Sequence, residues 1–250
     1  MRSLLLLGFI LTMTFSVNAS SDWRHFPAVA ERLGNQSPTE AGIDLNIPLV
    51  IDDGSSVNLK VSFNGSLANE EYLSRLWILA DKNPNPDVID FELSQAIPKL
   101  ELTTRIRLGE SQTVYALAQS NQGNFWLTSK DVRVTVSGCL MGNEEPQADI
   151  AMTQPRVALP RNPTPGNAAE LRTMINHPME TGFREDGQGG YIPQQLVKSL
   201  NVTQAGNPVI DINFHTGTSA NPFVAFFTDQ FSDLTFTWTD QHGAQVTETR

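Results

Sequence analysis

The chain has 250 residues, 40% of them hydrophobic, and 17 basic against 27 acidic side chains give it a formal net charge of −10. A chain this acidic has no electrostatic footprint for nucleic acid or for an anionic membrane surface, so neither is expected as a partner. Its length favours two domains of roughly 100 to 120 residues each, and its single cysteine has no partner for a disulfide within the chain.

The first 19 residues have the pattern of a secretory signal peptide. Arg2 supplies the charged start, an apolar run extends from Leu4 to Phe15, and cleavage is expected after Ala19. The run is too short to span a membrane, because a spanning helix needs about 20 apolar residues. A lone arginine favours the Sec route over the twin-arginine route. We therefore expect an exported, periplasmic protein.

The segment that follows predicts a short helix between residues 22 and 33. Trp23, Phe26, Val29 and Leu33 would share one face of that helix. We interpret the segment as a packing arm.

From Ile47 onward the hydrophobic residues recur with a period of two, which is the period of a β-strand. The strands predicted in the first half are 47–51, 57–63, 73–80, 88–93, 100–108, 113–118, 124–128 and 132–136. Those predicted in the second half are 170–175, 195–204, 208–214, 223–228, 234–239 and 245–249. Many short strands separated by turn residues predict an all-β fold of two immunoglobulin-like β-sandwiches.

The composition changes after Gly142, where a segment rich in proline begins. Arg156 to Leu159, within this segment, has the pattern of a first strand of the following domain. We expect a signal peptide at 1–19, a first sandwich at 20–142, a linker at 143–167 and a second sandwich at 168–250.

Two features of the first half have simple interpretations. The segment Asn83-Pro84-Asn85-Pro86 predicts a rigid turn, because each proline removes an amide donor and restricts the residue before it. Arg105 and Arg107 alternate with apolar residues and so share the polar face of a predicted strand. Such a pair can hold an anionic ligand, but a solvated face with weak cross-strand contacts is the more common outcome and is what we expect.

The strand predicted at 132–136 runs into Ser137-Gly138-Cys139-Leu140-Met141-Gly142, which contains the only cysteine. In an oxidising compartment an unpaired thiol is reactive, capped or lost. Gly138 and Gly142 permit positive φ and predict a flexible tip that leaves the sulfur accessible. The alternative is a small hydrophobic residue buried in a core. An accessible thiol with no internal partner also predicts a disulfide-linked dimer through Cys139.

Several segments resemble, in order and spacing, the two subunits of the bacterial thiosulfate-oxidising (Sox) sulfur carrier. Similar to the Y subunit are 79–86, 103–107 and 132–139. Similar to the Z subunit are 177–182, 192–193, 206–209, 220–222 and 238–243. The chain thus resembles a fusion of SoxY and SoxZ, of the kind found as a SoxYZ-like carrier associated with quinoprotein dehydrogenases.

The resemblance implies a carrier and not an enzyme. It implies two immunoglobulin-like domains, with a cysteine that holds sulfur intermediates while sulfur-oxidation enzymes or cytochromes of the periplasm act on them. That role falls on Cys139, which matches the family's Gly-Gly-Cys-Gly-Gly tip. The sequence departs from the tip at Ser137, Leu140 and Met141, and its tip continues into a second domain where the separate Y subunit ends.

Other classes of function have less support in the sequence. An enzyme is not indicated, because no His-Asp pair lies near Cys139 in the sequence. A copper electron carrier would need a histidine and a methionine a few residues after the cysteine. Met141 follows it, but the next histidine is His177, in the other predicted domain. We expect no metal and no cofactor.

The remaining histidines, His25, His215 and His242, are each isolated in sequence, which favours surface or structural roles.

One alternative function remains beside the carrier. The altered tip leaves open a binding or scaffold module, without carrier chemistry, that is accessory to a periplasmic quinoprotein dehydrogenase.

Overall fold

A computed structural model describes residues 22–136, 152–164 and 166–250. Within these ranges the chain is nearly all β, with two sheets, and the predicted fold of immunoglobulin-like β-sandwich domains is confirmed. None of the helices in the described ranges has the length and apolar character that crossing a membrane requires.

The first half begins with a 3-10 helix at Trp23–His25 and the helix α1 at Pro27–Leu33. Its strands are β1 (Ile43–Asn46), β2 (Val50–Asp53), β3 (Val57–Phe63), β4 (Leu73–Ala80), β5 (Asp87–Leu93), β6 (Glu101–Ile106), β7 (Gln112–Ser120) and β8 (Phe125–Val136). The strands of the second half are β9 (Arg156–Ala158), β10 (Ala169–Met174), β11 (Val197–Gln204), β12 (Asn207–Phe214), β13 (Phe223–Thr228), β14 (Leu234–Asp240) and β15 (Gln245–Thr249).

Both sheets run through both halves of the chain. The smaller sheet has six strands in the order β1-β3-β6-β13-β10-β9, and the larger has nine in the order β15-β14-β11-β12-β5-β4-β7-β8-β2. The halves therefore join edge to edge in each layer, through β6 and β13 in one sheet and through β5 and β12 in the other.

The two halves also share one hydrophobic core. In the larger sheet Phe91 lies opposite Ile212 across the β5–β12 pairing, and both side chains are buried. In the smaller sheet the Thr104 hydroxyl donates to the carbonyl of Phe223 at 2.8 Å. A single cluster of buried apolar side chains, including Phe226 of β13, extends across the junction.

The N-terminal arm packs on the outer face of the larger sheet. The sequence predicted a packing arm but not the face that it covers. Pro27 begins α1 and Gly34, at a φ of 57°, ends it with its amide bonded to the carbonyl of Ala30. The apolar face of the arm packs on the outward side chains of β7 and its neighbours, with Phe26 stacked on Tyr115 at 5.0 Å between ring centroids. Strand β7 is consequently buried on both faces.

Among the strands, three differ from the sequence-based prediction by more than one or two residues at an end. Strand β1 was not predicted, because four residues are too short a run to set its alternation apart from the mixed segment around it. The two strands predicted at 124–128 and 132–136 are one continuous strand, β8. Strand β2 begins at Val50, three residues later than predicted, and three of its four residues are exposed.

Candidate functional site

The strand that leads to the predicted tip is β8, and its last residues lie at the edge of the larger sheet. Up to Val132, β8 pairs antiparallel with β7. Val132 lies opposite Gln112, the first residue of β7, so β8 has no partner in β7 beyond that point. On its other side β8 pairs in parallel with β2, with Arg133 opposite Val50 and Val136 opposite Asp53. A short outer strand therefore holds the last residues of β8.

Side-chain hydrogen bonds secure this strand end on both sides. The Ser111 hydroxyl accepts from the amide of Val134 at 3.0 Å and donates to its carbonyl at 3.3 Å. On the other side the Thr135 hydroxyl donates to the carboxylate of Asp52 at 2.9 Å. The backbone is thus held to within a few residues of Cys139 in sequence.

Two exposed carboxylates, Asp52 and Asp53, lie beside the end of β8. The backbone amide and the hydroxyl of Ser55 both donate to Asp53 at 2.8 Å, and these hydrogen bonds, the amide first, hold the pKa of that carboxyl below its ordinary value. Asp53 is therefore ionised at neutral pH. A negative charge disfavours a nearby thiolate, so these carboxylates raise the pKa of any thiol held close to them.

Sequence reasoning did not single out this Asp52-Asp53-Gly54 segment. Gly54 is required here because a Cβ at that position would lie 1.9 Å from the carbonyl oxygen of Leu108. The Leu108 amide donates to the carbonyl of Gly54 at 2.8 Å, which ties β2 to the loop after β6. Two acidic residues before a glycine, directly after an apolar run, were the available signal of a tight turn.

The predicted tip residues Gly138, Cys139 and Gly142 lie outside the described residues. The structure describes the chain up to Val136 and again from Met152, which packs against the common core. We therefore describe the site by its two anchors, which are the described residues on either side of the segment 137–151: the end of β8 and the residues from Met152 onward.

These two anchors lie at opposite edges of the larger sheet. The side chain of Gln154 donates to the carbonyl of Thr247 in β15 at 3.3 Å, and β15 is the outer strand farthest from β2. Every pairing from β8 to β15 is antiparallel, so the last residues of β8 and the first residues of β15 share one end of the sandwich. We call it the turn end, because the turn from Asn83 to Pro86 also lies there.

At the turn end a buried arginine joins the two halves. Arg107 donates from Nη1 to the carbonyl of Met179 at 2.5 Å and from Nη2 to the carbonyl of Pro178 at 2.9 Å. The Asn83 side chain donates to the carbonyl of Arg107 at 3.0 Å and accepts from Gln112 at 3.0 Å. The turn from Asn83 is therefore more than a connection, since it supports the residue that binds the second half.

The prediction that Arg105 and Arg107 lie on a solvated polar face is wrong. Arg107 is only 7% exposed, because β6 ends at Ile106 and the next residue no longer follows the alternation of the strand. Arg105 is half-buried, donates to the carbonyl of Asn221 at 3.1 Å and lies over the ring of Phe223 at 5.3 Å. Both guanidinium groups donate to backbone carbonyls of the second half of the chain.

His177 lies on the other side of this junction and is buried. Its Nδ1 accepts from the amide of Met179 at 3.1 Å, and its own amide donates to the Asn221 side chain at 3.0 Å. Burial lowers the pKa of His177 from 6.5 to about 4, against an opposing attraction from Asp240. His177 is thus neutral at pH 7 and holds the loop that presents the carbonyls of Pro178 and Met179 to the arginine.

The remaining histidines occupy structural or surface positions. His215 pairs with Asp90 at 3.1 Å across the junction of the two halves. His25 is exposed and lies 3.2 Å from Asp22 in the N-terminal arm. His242 is also exposed, and its Nε2 lies 3.2 Å from the Gln241 side chain.

Within the described residues, no three His, Cys, Asp or Glu side chains lie close enough together to hold a metal ion. The structure therefore offers no support there for the copper alternative. His177 and Met179 both belong to the second half and are buried. The Met179 sulfur accepts the amide of Val197 at 3.3 Å.

Two protein-family models match this chain, one on each half. The model described as "Sulfur oxidation protein SoxY" matches residues 29–139, and the model described as "Sulphur oxidation protein SoxZ" matches residues 157–250. No curated protein matches the chain.

Solved structures similar to this chain each correspond to less than half of it. The sulfur carrier protein SoxY from Chlorobium limicola f thiosulfatophilum has 21% identity and a TM-score of 0.36, over 44% of this chain and 90% of its own. A superoxide reductase (neelaredoxin) from Ignicoccus hospitalis has 15% identity and a TM-score of 0.32, over 37% and 80%. A putative superoxide reductase from Thermotoga maritima has 17% identity and a TM-score of 0.32, over 37% and 84%.

Sequence and architecture agree on a tandem of two β-sandwich domains from the sulfur-oxidation proteins. The chain belongs to the SoxYZ-like family, with a SoxY domain fused ahead of a SoxZ domain. The strands that unite the halves are those of the SoxY and SoxZ domains themselves, on either side of the segment 137–151.

Proposed function

We propose that this protein is an exported carrier that holds sulfur intermediates covalently on Cys139 while partner enzymes of sulfur oxidation act on them. The match to SoxY carries the proposal, because it ends at residue 139, the single cysteine of the chain. A SoxY protein among the similar solved structures is a sulfur carrier protein. The protein would thus present a substrate and would not itself be the catalyst.

The anchors of the segment 137–151 support the presentation of Cys139 to a partner. The seven strand spacings from β8 to β15 amount to about 34 Å, at roughly 4.8 Å each. The 15 residues of the segment can extend over about 50 Å, at roughly 3.3 to 3.6 Å each. The connection is therefore longer than crossing the sheet requires, and the excess is available to a partner's active site.

The chemistry required is that of thiol exchange. The Cys139 thiolate attacks a sulfane sulfur, a new S–S bond forms to the cysteine, and the former partner of that sulfur leaves with the electron pair. With tetrathionate the products are a cysteine S-thiosulfonate and thiosulfate, so the step needs no further oxidant. Asp52 and Asp53 would disfavour a thiolate held close to the end of β8, so we assign its activation to a cationic group of the partner.

The proposed location is the periplasm. It rests on the signal-peptide pattern of residues 1–19 and on the oxidising chemistry that a free cysteine carrier uses. The partners are sulfur-oxidation enzymes, with periplasmic cytochromes as electron acceptors. Without a partner, an oxidant such as dioxygen would take two electrons from two Cys139 thiols and join two chains in a reducible disulfide dimer.

Mass spectrometry of the intact protein tests the proposal. We expect the mature chain, treated with tetrathionate, to gain the mass of one S₂O₃ unit at Cys139 and to lose it with dithiothreitol. The Cys139→Ser variant serves as the matched control and should gain nothing. An unmodified wild-type protein, or an adduct that persists in the reductant, would contradict the carrier function.

A further inference from the structure

Strand β2 is an unusual edge for a large sheet. It is the outer strand beside β8, and Leu49 and Val50 are each 59% exposed at its start. Edge strands with exposed apolar side chains tend to pair with other chains, so proteins normally cover or charge them. Nothing in the described ranges covers this one.

The backbone of β2 has its outward hydrogen-bonding groups available. The carbonyl of Leu49 accepts from the amide of Arg133 at 2.8 Å, and Thr135 donates to the carbonyl of Ile51 at 3.3 Å, so these two residues face β8. In a β-strand alternate residues direct their amide and carbonyl groups to opposite sides. The amide and carbonyl groups of Val50 and Asp52 therefore face away from the sheet.

The opposite edge of the same sheet differs in this respect. Strand β15 has no exposed large apolar side chain, and the Gln154 amide bonds both the carbonyl of Thr247 and the carboxylate of Glu248. One outer strand of the sheet is thus partly covered by the chain itself, whereas no residue of 22–136, 152–164 or 166–250 covers the other.

The charges on β2 indicate what would pair with it. Asp52 and Asp53 are exposed, and Asp53 stays ionised because Ser55 lowers its pKa. Two antiparallel copies of β2 would bring four carboxylates into one short ribbon, and like charges across strands are destabilising. The net charge of −10 also opposes a second copy, whereas a basic strand would neutralise the pair.

We propose that β2 is a docking edge, on which a basic, extended segment of a partner protein adds as a tenth strand of the larger sheet. The outward backbone groups of Val50 and Asp52 supply the hydrogen bonds of such strand addition, and Leu49 and Val50 supply apolar contacts. Asp52 and Asp53 select lysine or arginine in the partner. Only the identity of the partner as a sulfur-oxidation enzyme rests on the proposed function.

Because β2 pairs with the strand that precedes Cys139, a partner docked on β2 would lie near the cysteine. Strand β8, which pairs with β2, ends at Val136, and Cys139 follows three residues later in the sequence. Three residues extend over about 10 Å at most. A partner that adds a strand to β2 therefore has its body within reach of the cysteine.

Titration of the ¹⁵N-labelled mature Cys139→Ser chain with a peptide tests the docking edge by NMR. The probe is acetyl-Lys-Val-Lys-Val-Lys-Val-amide, and the matched control peptide has glutamate in place of lysine. We expect saturable shifts at the amides of 49–53 and 133–136 with the lysine peptide, and no binding of the glutamate peptide. Shifts centred on β15, equal binding of both peptides, or no binding at about millimolar peptide would overturn the proposal.

Two variants separate the backbone contribution from the charge contribution. Val50→Pro removes one outward amide and no hydrogen bond of the sheet, and the double variant Asp52→Asn with Asp53→Asn removes the charges. Each should weaken binding about tenfold, which corresponds to 1.4 kcal/mol, while Glu248→Gln on the opposite edge should not weaken it. Unchanged affinity in Val50→Pro would exclude strand addition.

Failure of the docking edge can be distinguished from failure of the carrier function. The titration uses a chain that lacks Cys139, so its result does not depend on sulfur chemistry. In the chain that retains Cys139, Val50→Pro should leave the tetrathionate adduct unchanged, since a small reagent needs no docking strand.

Discussion

The junction of the two halves and the edge that leads to Cys139 are held in opposite ways. At the junction four strands pair across the halves, and a buried arginine binds two carbonyls of the other half. At the edge the last residues of β8 pair with a short, largely exposed strand of four residues, and the Ser111 and Thr135 hydroxyls add hydrogen bonds there. The difference teaches that buried strand pairing unites the two halves, whereas exposed pairing and surface hydrogen bonds hold the strand end that precedes Cys139.

The largest difference between the two regions should appear when the same substitution is made in each. Ile212→Ala, in the buried β12 strand of the junction, should lower the free energy of unfolding by about 3 to 4 kcal/mol, because it leaves a cavity between the halves. Ile51→Ala in β2 should cost about 1 kcal/mol, since that side chain is only partly buried. Urea unfolding followed by tryptophan fluorescence measures both. Equal losses would contradict the contrast between the regions.

A second comparison concerns the two arginines of the junction. Arg107→Met should lower the free energy of unfolding by about 2 to 3 kcal/mol, because the carbonyls of Pro178 and Met179 lose a charged donor while staying buried. Arg105→Met, at a half-buried position with one carbonyl contact, should cost about 1 kcal/mol. Thermal unfolding of both variants provides the check, and a larger loss for Arg105→Met would reverse our assignment.

The junction should also be sensitive to acid through His177. Folding lowers the pKa of this histidine from 6.5 to about 4, so the unfolded chain binds the proton more readily between these values. The contribution to stability is complete above about pH 6.5 and is lost as the pH falls towards 4, with a slope of up to about 1.4 kcal/mol per pH unit. The difference in unfolding free energy between wild type and His177→Asn, measured from pH 7 to pH 5, should shrink accordingly. A difference independent of pH would show that burial does not depress this pKa.

Most of the fold follows from local alternation in the sequence. The bounds of β3, β4, β13 and β15 agree with the residues predicted, because turn residues or polar residues mark the ends of each strand. Strand β2 was placed too early, since its apolar residues are exposed at an edge and do not mark a core face. That the sheets continue from one half into the other could not be predicted, because pairing between β5 and β12 depends on contacts more than 100 residues apart.

The tip at Cys139 stays a prediction from residue types, and its structural surroundings could not be predicted from the sequence. The lone Cys139 and its glycines indicate a tip from residue types alone. The burial of Arg107 depends on where β6 ends and on a carbonyl pair about 70 residues away, which no local pattern encodes. Asp52 and Asp53 lie more than 80 residues before Val136 in sequence, and only the parallel pairing of β2 with β8 brings them to the strand end that precedes the tip.

The rate at which iodoacetamide modifies Cys139 tests the accessible thiol most directly. The native protein and the same protein unfolded in urea are compared at one pH, with modification followed by intact mass. We expect rates within about tenfold of each other, because a carrier's sulfur must be unshielded and carboxylates at the end of β8 would lower the thiolate fraction only modestly. A native protein that stays unmodified while the unfolded chain reacts would place the sulfur beneath side chains and contradict the carrier.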